Sequence, residues 1–437
     1  MQLFERNSEV DRLALALERA RTPEDALPLE VSLSWYLRQR DNPRAHALCT
    51  HARAWIARQP IPELWRDATA RLLLVEAETQ WLRSDFDGAT AAALAALQVF
   101  QSTDNSGGCA DCYGVLVSVY SSAGDLPQRD SALASAVACA RLANDAQRVD
   151  YFEANQARYA AMRDVQLSNT QWRLRFPDEM EGVHPAVSAS VYTYLAARNY
   201  NTGNFGEALE RFNQAFEAAS ASGQLLCAVV AAVNAGGTYV VLNDHDAALE
   251  WLQQGLELAR PTGWAVASGP CLRQMGEVMR AMGRLEAAQS LLEEAMQVYQ
   301  PLRNSRNFTM VLTALGDLAL TRGDYPKALE HFRLQAERAQ HLAQTDLAME
   351  GQLGIANTLL DMGQDAEAEQ LATGAWHLAE NQGAVLHAIS ALRLLARVHG
   401  GRGHHGAATE CLEKALETAR TVDGYLIPSE LLFSLAQ

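Results

Sequence analysis

A repeat of small residues with a period of forty constrains the fold of this chain most strongly. Between residues 195 and 415, alanine recurs at one phase without exception: Ala208, Ala248, Ala288, Ala328, Ala368 and Ala408. Small residues recur twelve positions earlier as well: Ala196, Gly236, Gly276, Gly316, Ala356 and Ala396. Such regularity at two phases indicates a tandem structural repeat. Each phase predicts a point where two helices cross with their backbones close together.

The spacing inside one repeat predicts two helices joined by a tight turn. A third phase, five residues before each alanine, holds glycine or asparagine: Gly203, Asn243, Gly283, Gly323, Gly363 and Gly403. These residues tolerate the positive φ that is common where a helix ends. In one repeat, Asp324 is placed to cap the second helix, and Pro326 fits its first turn. Apolar residues at helical spacing predict one buried face per helix, so each unit must stack on its neighbours.

The order of small and large residues resembles the tetratricopeptide repeat. One unit carries the match in full: Leu315, Gly316, Gly323, Tyr325, Ala328 and Phe332. A large residue recurs at the phase of Phe332 in four other units, whereas Ala372 departs from it. The family period is about 34 residues, and the period of 40 in this chain predicts longer helices. The resemblance implies an all-α fold, a right-handed α-solenoid of about nine helix pairs, with the first helices lining a concave groove.

The longer period is similar to helical arrays of bacterial signalling proteins, including maltose-type transcription activators and diguanylate cyclases. The segment LSWYLRQRDNPRAHAL, residues 33–48, resembles the opening unit of tetratricopeptide regions that precede GGDEF diguanylate cyclase domains. This resemblance implies a sensory region of a cytoplasmic protein.

The repeat pattern also predicts how the chain is organised, with a first helix over residues 3–21. The remaining pattern divides into divergent units, a distorted unit or hinge with two prolines, six regular units, and a further unit or capping helix: residues 1–163, 164–186, 187–420 and 421–437. Leu435 and Ala436 repeat the phase of Leu395 and Ala396. We therefore expect the native chain to continue beyond residue 437.

Composition narrows the classes of partner. The net charge of −16 argues against a surface that follows nucleic-acid phosphates. The chain lacks an apolar run of about eighteen residues, the length typical of a membrane helix, and its first residues do not form a signal peptide. Seven scattered cysteines fit a reducing compartment. We expect a cytoplasmic protein with neither a nucleic-acid nor a membrane partner.

Two motifs raise the question of chemistry. Cys109 and Cys112 form a CxxC motif at the start of a predicted helix, where a thiol pKa can fall. The βαβ pattern of redox proteins is missing, so two small helix residues are the favoured interpretation, and a redox role stays open. His399, His404 and His405 lack a neighbouring cysteine or carboxylate, so we expect no metal site. Because no catalytic motif occurs either, we expect no cofactor and no enzymatic activity in this chain.

The remaining candidate site is the concave groove. The resemblance places eight residues along it: Tyr200, Arg273, Glu277, Arg280, Asp317, Asn357, Arg393 and Arg397. Arg273 with Arg280, and Arg393 with Arg397, lie one or two turns apart on one helix face. Such pairs can receive a carboxylate or a phosphate. The alternative is that these arginines form salt bridges with Glu277 and Asp317 across adjacent helices.

These observations favour a non-catalytic interaction or sensory module that binds a peptide, a protein or a small ligand in its groove. In this interpretation the ligand regulates an attached output domain, for which a diguanylate cyclase is one candidate. Two alternatives are a free-standing scaffold for protein complexes and a receptor of the peptide-pheromone type. A homodimer is also compatible with the sequence.

Overall fold

The computed structural model of the protein describes residues 1–163, 165–177, 184–302 and 305–420, and over these residues it contains helices and no β-strand. The α-helices in chain order are α1 (Asn7–Arg19), α2 (Pro23–Leu37), α3 (Asn42–Ile56), α4 (Arg66–Leu82), α5 (Phe86–Ser102), α6 (Ser106–Ala123), α7 (Leu126–Leu142), α8 (Ala146–Arg163), α9 (Val165–Trp172), α10 (Pro185–Asn201), α11 (Phe205–Ser222), α12 (Leu225–Val241), α13 (His245–Ala259), α14 (Ala265–Ala281), α15 (Leu285–Tyr299), α16 (Arg306–Thr321), α17 (Tyr325–His341), α18 (Thr345–Asp361), α19 (Asp365–Gln382), α20 (Val385–Gly401) and α21 (His405–Arg420). Short 3-10 helices span Pro62–Trp65, Arg260–Thr262 and Gln300–Leu302. Consecutive helices pack in pairs, which confirms the expected all-α solenoid.

The chain forms two compact units. Unit 1 holds Met1–Tyr200 and Asn204–Cys271, and unit 2 holds Asn201–Gly203 together with the chain from Leu272 onward. Within unit 1, α9 has only eight residues, so its pair has a shortened second helix. The predicted hinge over 164–186 and the other segment bounds stay predictions, and the further unit or capping helix predicted over 421–437 lies outside the described residues.

The small-residue phases lie where helices cross, as predicted. Five of the six reference alanines have no exposed surface, and Ala408 is half-buried. A Cβ added to Gly316 would lie 2.6 Å from Cε1 of Phe332, and one added to Gly276 would lie 2.6 Å from Cγ of Leu292. Since real Cβ atoms do not approach so closely, an alanine at either glycine would force the partner side chain to move. The repeat period therefore reports the backbone contact between the two helices of each pair.

The predicted turn between paired helices is also confirmed. Gly323 has a φ of 74°, and Asn243 reaches 59° at the equivalent turn, so both occupy the left-handed region. The carboxylate of Asp324 accepts a hydrogen bond from the backbone N–H of Lys327 at 3.3 Å, which caps α17. These local features stop the first helix and start the second one at a fixed angle.

The helix expected over residues 3–21 is wrong at its start, because α1 begins at Asn7. Leu3 and Phe4 precede the helix and are buried against other parts of unit 1. The carbonyl of Leu3 accepts a hydrogen bond from Arg38 Nη2 at 3.0 Å. Distant hydrogen-bond partners thus replace the helical ones for these residues.

Substituting the reference alanine of one repeat tests the register. We expect Ala328→Leu to lower the free energy of unfolding by roughly 1–3 kcal/mol, because Ala328 is fully buried and a larger side chain would overpack the crossing. Lys327→Ala, at an exposed neighbouring position, should stay within about 0.5 kcal/mol. Thermal and urea unfolding of both variants measure the difference. Equal melting temperatures would contradict the register.

Candidate binding groove

Residues at equal positions of successive repeats form a groove in unit 2. Asp317 on α16, Asn357 on α18 and Arg397 on α20 are each forty residues apart. Arg397 donates hydrogen bonds to Asn357 Oδ1 and, at 2.8 Å, to Asp361 Oδ1, so neighbouring first helices lie side by side. The ladder therefore places chemically different side chains along one surface.

A cavity of about 360 Å³ opens along this ladder. We call it the unit 2 groove; its polar lining consists chiefly of Asp317, Glu350, Asn357, Ser390, Arg393 and Arg397. The ring of Phe332 lines the same cavity and supplies apolar surface. Four of the eight residues predicted for the site are thus brought together.

The charges in the unit 2 groove are separated by helix. Burial raises the pKa of Asp317 on α16 to about 6, an effect that the charge of Arg280 opposes. Burial, and then the negative charges of Asp317 and other acidic residues, raise the pKa of Glu350 on α18 to about 7. Arg393 and Arg397 both lie on α20. The groove can therefore offer carboxyl groups to a cation or donor on one side, and guanidinium groups to a carboxylate on the other.

The other four predicted site residues do not line this cavity. On α14, Arg273 forms an ion pair with Glu277 four residues later, which matches the salt-bridge alternative but within one helix. Arg280 donates to Thr321 Oγ1 at 3.4 Å. Tyr200 lies in unit 1, where its ring packs edge-on against Phe205 with centroids 5.4 Å apart. The assignment of all eight residues to ligand contacts stays a prediction.

The raised pKa of Glu350 predicts a pH-dependent stability. Between the ordinary glutamate pKa near 4 and the folded value of about 7, the folded chain binds the proton more tightly than the unfolded chain. Stability from this group therefore falls as pH rises through that window. The melting temperature of Glu350→Gln, measured relative to that of the unchanged chain, should therefore be higher at pH 8 than at pH 5. Scanning calorimetry at both pH values measures this, with Glu367→Gln on α19 as the exposed control; an identical shift at both pH values would contradict the prediction.

The CxxC motif does not have the environment of a redox site. Cys109 and Cys112 are free, buried thiols on α6. Burial raises the pKa of both thiols, to about 11 for Cys109, whereas reactive cysteines have lowered values. Their surroundings therefore support the interpretation as packing residues.

The part of the chain that the structure describes contains neither a metal-ligand cluster nor a helix suited to cross a membrane. There, no three histidine, cysteine or acidic side chains come together as metal ligands would. The rings of His399 and His404 are 6.4 Å apart. Taken one by one, the described helices fall short of the length and apolar character that membrane crossing requires.

A buried ionic network in unit 1 was not anticipated from the sequence. The carboxylate of Asp111 accepts hydrogen bonds from Arg71 at 2.6 Å and from Arg148 at 2.8 and 2.9 Å. A second buried ion pair lies in the same unit, where Arg38 Nε donates a hydrogen bond to Glu78 at 2.6 Å. Arg71 and Asp111, like Arg38 and Glu78, are forty residues apart, which is the signal that could have identified them.

Comparisons with known proteins agree with this architecture. Residues 184–341 match the model of the MalT-like TPR region. The crystal structure of the apo form of RapI is similar at a TM-score of 0.50 and 14% identity, covering 62% of this chain and 97% of that one. A Rap protein complexed with competence and sporulation factor is similar at 0.54 and 13% identity, covering 92% and 100%. No curated protein sequence matches this chain.

The described residues therefore form an all-α array of paired helices, part of which resembles a tetratricopeptide region. The predicted resemblance to tetratricopeptide repeats of the maltose type is confirmed for residues 184–341, and the resemblance to regions ahead of GGDEF domains stays a prediction. The likeness to the two solved structures, at this low identity, concerns the fold.

Proposed function

We propose that this protein is a non-catalytic interaction module that binds a peptide segment in the unit 2 groove. The observation that carries the proposal is the meeting of two carboxyl groups and two arginines in one cavity of about 360 Å³. That volume is at the small end of ligand sites and suits a few residues of a peptide. The ligand we expect presents a carboxylate to Arg393 and Arg397, and an ammonium or N–H donor to Asp317 and Glu350.

One similar structure supports a partner of this kind. The Rap protein was solved in a complex with competence and sporulation factor, so a chain of this fold can hold a partner. The chemistry of the ligand in the present chain is inferred from its own groove, where carboxyl groups lie on α16 and α18 and guanidinium groups on α20.

A binding experiment tests the groove directly. Arrayed hexapeptides would carry either a free or an amidated C-terminus, and either a lysine or a neutral residue in the middle. We expect peptides with both a carboxylate and a cation to bind best. Arg393→Ala should weaken their binding about tenfold, which corresponds to about 1.4 kcal/mol.

Arg402→Ala is the matched control, because Arg402 pairs with Glu369 at 2.5 Å and does not line the groove. Fluorescence anisotropy measures the peptide affinity of both variants. Equal affinities of Arg393→Ala and the unchanged chain, or binding that ignores the C-terminal carboxylate, would refute the unit 2 groove as the site.

We further propose that binding controls an attached output domain, such as a diguanylate cyclase, in a bacterial cytoplasmic signalling protein. As a receptor of the peptide-pheromone type, the protein would bind its peptide in the same groove. The fold shared with the Rap complex favours such a receptor over a small-molecule sensor. The alternative function for the same surface is that of a free-standing adaptor, either as a monomer or as a homodimer. The reading frame beyond residue 437 tests for an attached output domain. The mass of the protein in solution tests for a homodimer.

A further inference from the structure

The first six residues lie outside α1 as a non-helical segment that the rest of unit 1 binds. We call residues 1–6 the N-terminal arm. Four of its carbonyl oxygens accept hydrogen bonds from side chains of the folded array: Met1 from Arg148 at 2.9 Å, Gln2 from Trp35 at 2.9 Å, Leu3 from Arg38 at 3.0 Å, and Glu5 from Arg40. The backbone N–H of Gln2 donates to the hydroxyl of Tyr36 at 3.0 Å. Main-chain recognition of this kind is how grooves bind extended peptides.

Two side chains of the N-terminal arm are anchored as well. Leu3 is 8% exposed and Phe4 is 6% exposed. The ring of Phe4 lies 6.1 Å from that of Tyr151, and the guanidinium of Arg38 lies 4.2 Å from its centroid. A cavity of about 310 Å³ remains beside these two side chains. The site is therefore larger than the arm that occupies it.

The side chains that hold the N-terminal arm are fixed by partners of their own. Arg38 is paired with Glu78 at 2.6 Å, and Arg148 is paired with Asp111 at 2.8 Å. These ion pairs do not involve residues 1–6, so they persist when the arm leaves. A site whose donors are already oriented binds an extended segment at lower entropic cost.

The helix that follows the N-terminal arm is weakly anchored. Of the thirteen residues of α1, only Val10 is buried. The helix packs against α2 and ends before the first pair. Release of residues 1–19 therefore exposes few buried side chains and leaves the helix pairs of unit 1 intact.

We propose that unit 1 contains a second peptide-binding site, and that the N-terminal arm occupies it as an internal ligand. The external partner is an extended segment of another protein with two adjacent large apolar residues, equivalent to Leu3 and Phe4. It displaces the arm by taking over its main-chain hydrogen bonds. This site is independent of the unit 2 groove.

A competition experiment in the full chain tests the proposal. Leu3→Asp with Phe4→Asp should expel the N-terminal arm, because two carboxylates cannot be buried in the apolar part of the site. The probe is a synthetic MQLFER peptide with a fluorophore at its C-terminal end. We expect this double variant to bind the probe at least tenfold more tightly than the unchanged chain, in which the tethered arm competes at an effective concentration on the order of mM.

Two controls make the result specific. A probe with aspartate in place of its leucine and phenylalanine should bind the double variant at least tenfold more weakly. Arg393→Ala, added to the double variant, should leave affinity for the MQLFER probe within twofold, since that residue belongs to the unit 2 groove. Loss of probe binding on Arg393→Ala would overturn the independence of the two sites.

Equal binding of the two probes to a double variant that retains its helical circular dichroism would overturn the second site. Should the double variant not fold, hydrogen exchange of the unchanged chain decides the matter. Millimolar MQLFER peptide should then speed exchange of the amides of residues 2–6, and unchanged exchange rates would refute the proposal.

Discussion

Replacing Asp111 by alanine is expected to lower the free energy of unfolding by about 3–5 kcal/mol, the usual loss when one partner of a buried ion pair is removed. Its side chain has no exposed surface, and the side chains of Arg71 and Arg148 are only 8% and 5% exposed. Alanine would leave two guanidinium groups close together without the anion between them. Their mutual repulsion and their lost solvation act in the same direction.

The pH dependence of the unchanged chain provides a second readout of the same contact. Burial alone would raise the pKa of Asp111, but the charges and hydrogen bonds of Arg148 and Arg71 outweigh it and hold the pKa below its usual value. A depressed folded pKa contributes stability above the unfolded value near 4, and this contribution is lost as pH falls. The difference in the free energy of unfolding between the unchanged chain and Asp111→Ala should therefore become smaller below pH 4.

Glu76→Ala is the matched control for Asp111→Ala. Glu76 pairs with Arg53, and these side chains are 35% and 45% exposed, so the loss should stay below about 1 kcal/mol. Urea unfolding at pH 7 and pH 3 measures both variants. A loss below 1 kcal/mol for Asp111→Ala at pH 7 would show that the buried network does not stabilise unit 1.

The repeat register was predictable because small residues report backbone contact directly. At Gly316 and Gly276 the partner side chain, as placed, leaves no room for a Cβ, and alanine fills the same phase in other repeats, so the phase predicts a small residue. Ala372, which departs from the large-residue phase, shows how the core adapts. It packs in one cluster with Ala356, Leu394 and Leu395, against which the partly buried Leu371 and Trp376 also pack.

The groove was predictable only in part. Asp317 and Asn357 follow from phase arithmetic, and they line the same cavity as the predicted arginines. Glu350 also lines it, about two turns before Asn357 on α18, and was not among the eight predicted residues. Its raised pKa depends on burial and on surrounding charges that only the folded chain brings together.

The buried network and the N-terminal arm mark the limit of sequence reasoning. Arg71 with Asp111 and Arg306 with Asp346 share the forty-residue spacing, yet the first pair is buried while the second is 38% and 43% exposed. Spacing alone cannot separate them, because burial depends on what covers the helix face. For the arm, apolar periodicity extends a helix back to Leu3, whereas its bonding partners lie more than thirty positions away.

Phe332 connects the packing of unit 2 to its groove, so its substitution should have an equally large effect. Phe332→Ala is expected to lower the free energy of unfolding by about 3–5 kcal/mol, since the ring is 1% exposed and its loss leaves a cavity. The ring lies against Gly316 and Gly354, where an added Cβ would come within 2.6 and 2.5 Å of it. Because the ring also lines the unit 2 groove, peptide binding there should weaken in the same variant.

Two matched variants separate cavity formation from other causes. Phe332→Leu should cost less than about 1.5 kcal/mol, because the fully buried Leu252 and Leu292 occupy the same phase in other repeats. Gly316→Ala should be strongly destabilising in the unchanged chain but tolerated in Phe332→Ala, where the added methyl group occupies vacated space. A double-mutant cycle by urea unfolding measures this coupling. Additive losses would mean that the glycine and the ring do not pack against each other, and the explanation of the forty-residue repeat by close helix crossings would fail at its clearest example.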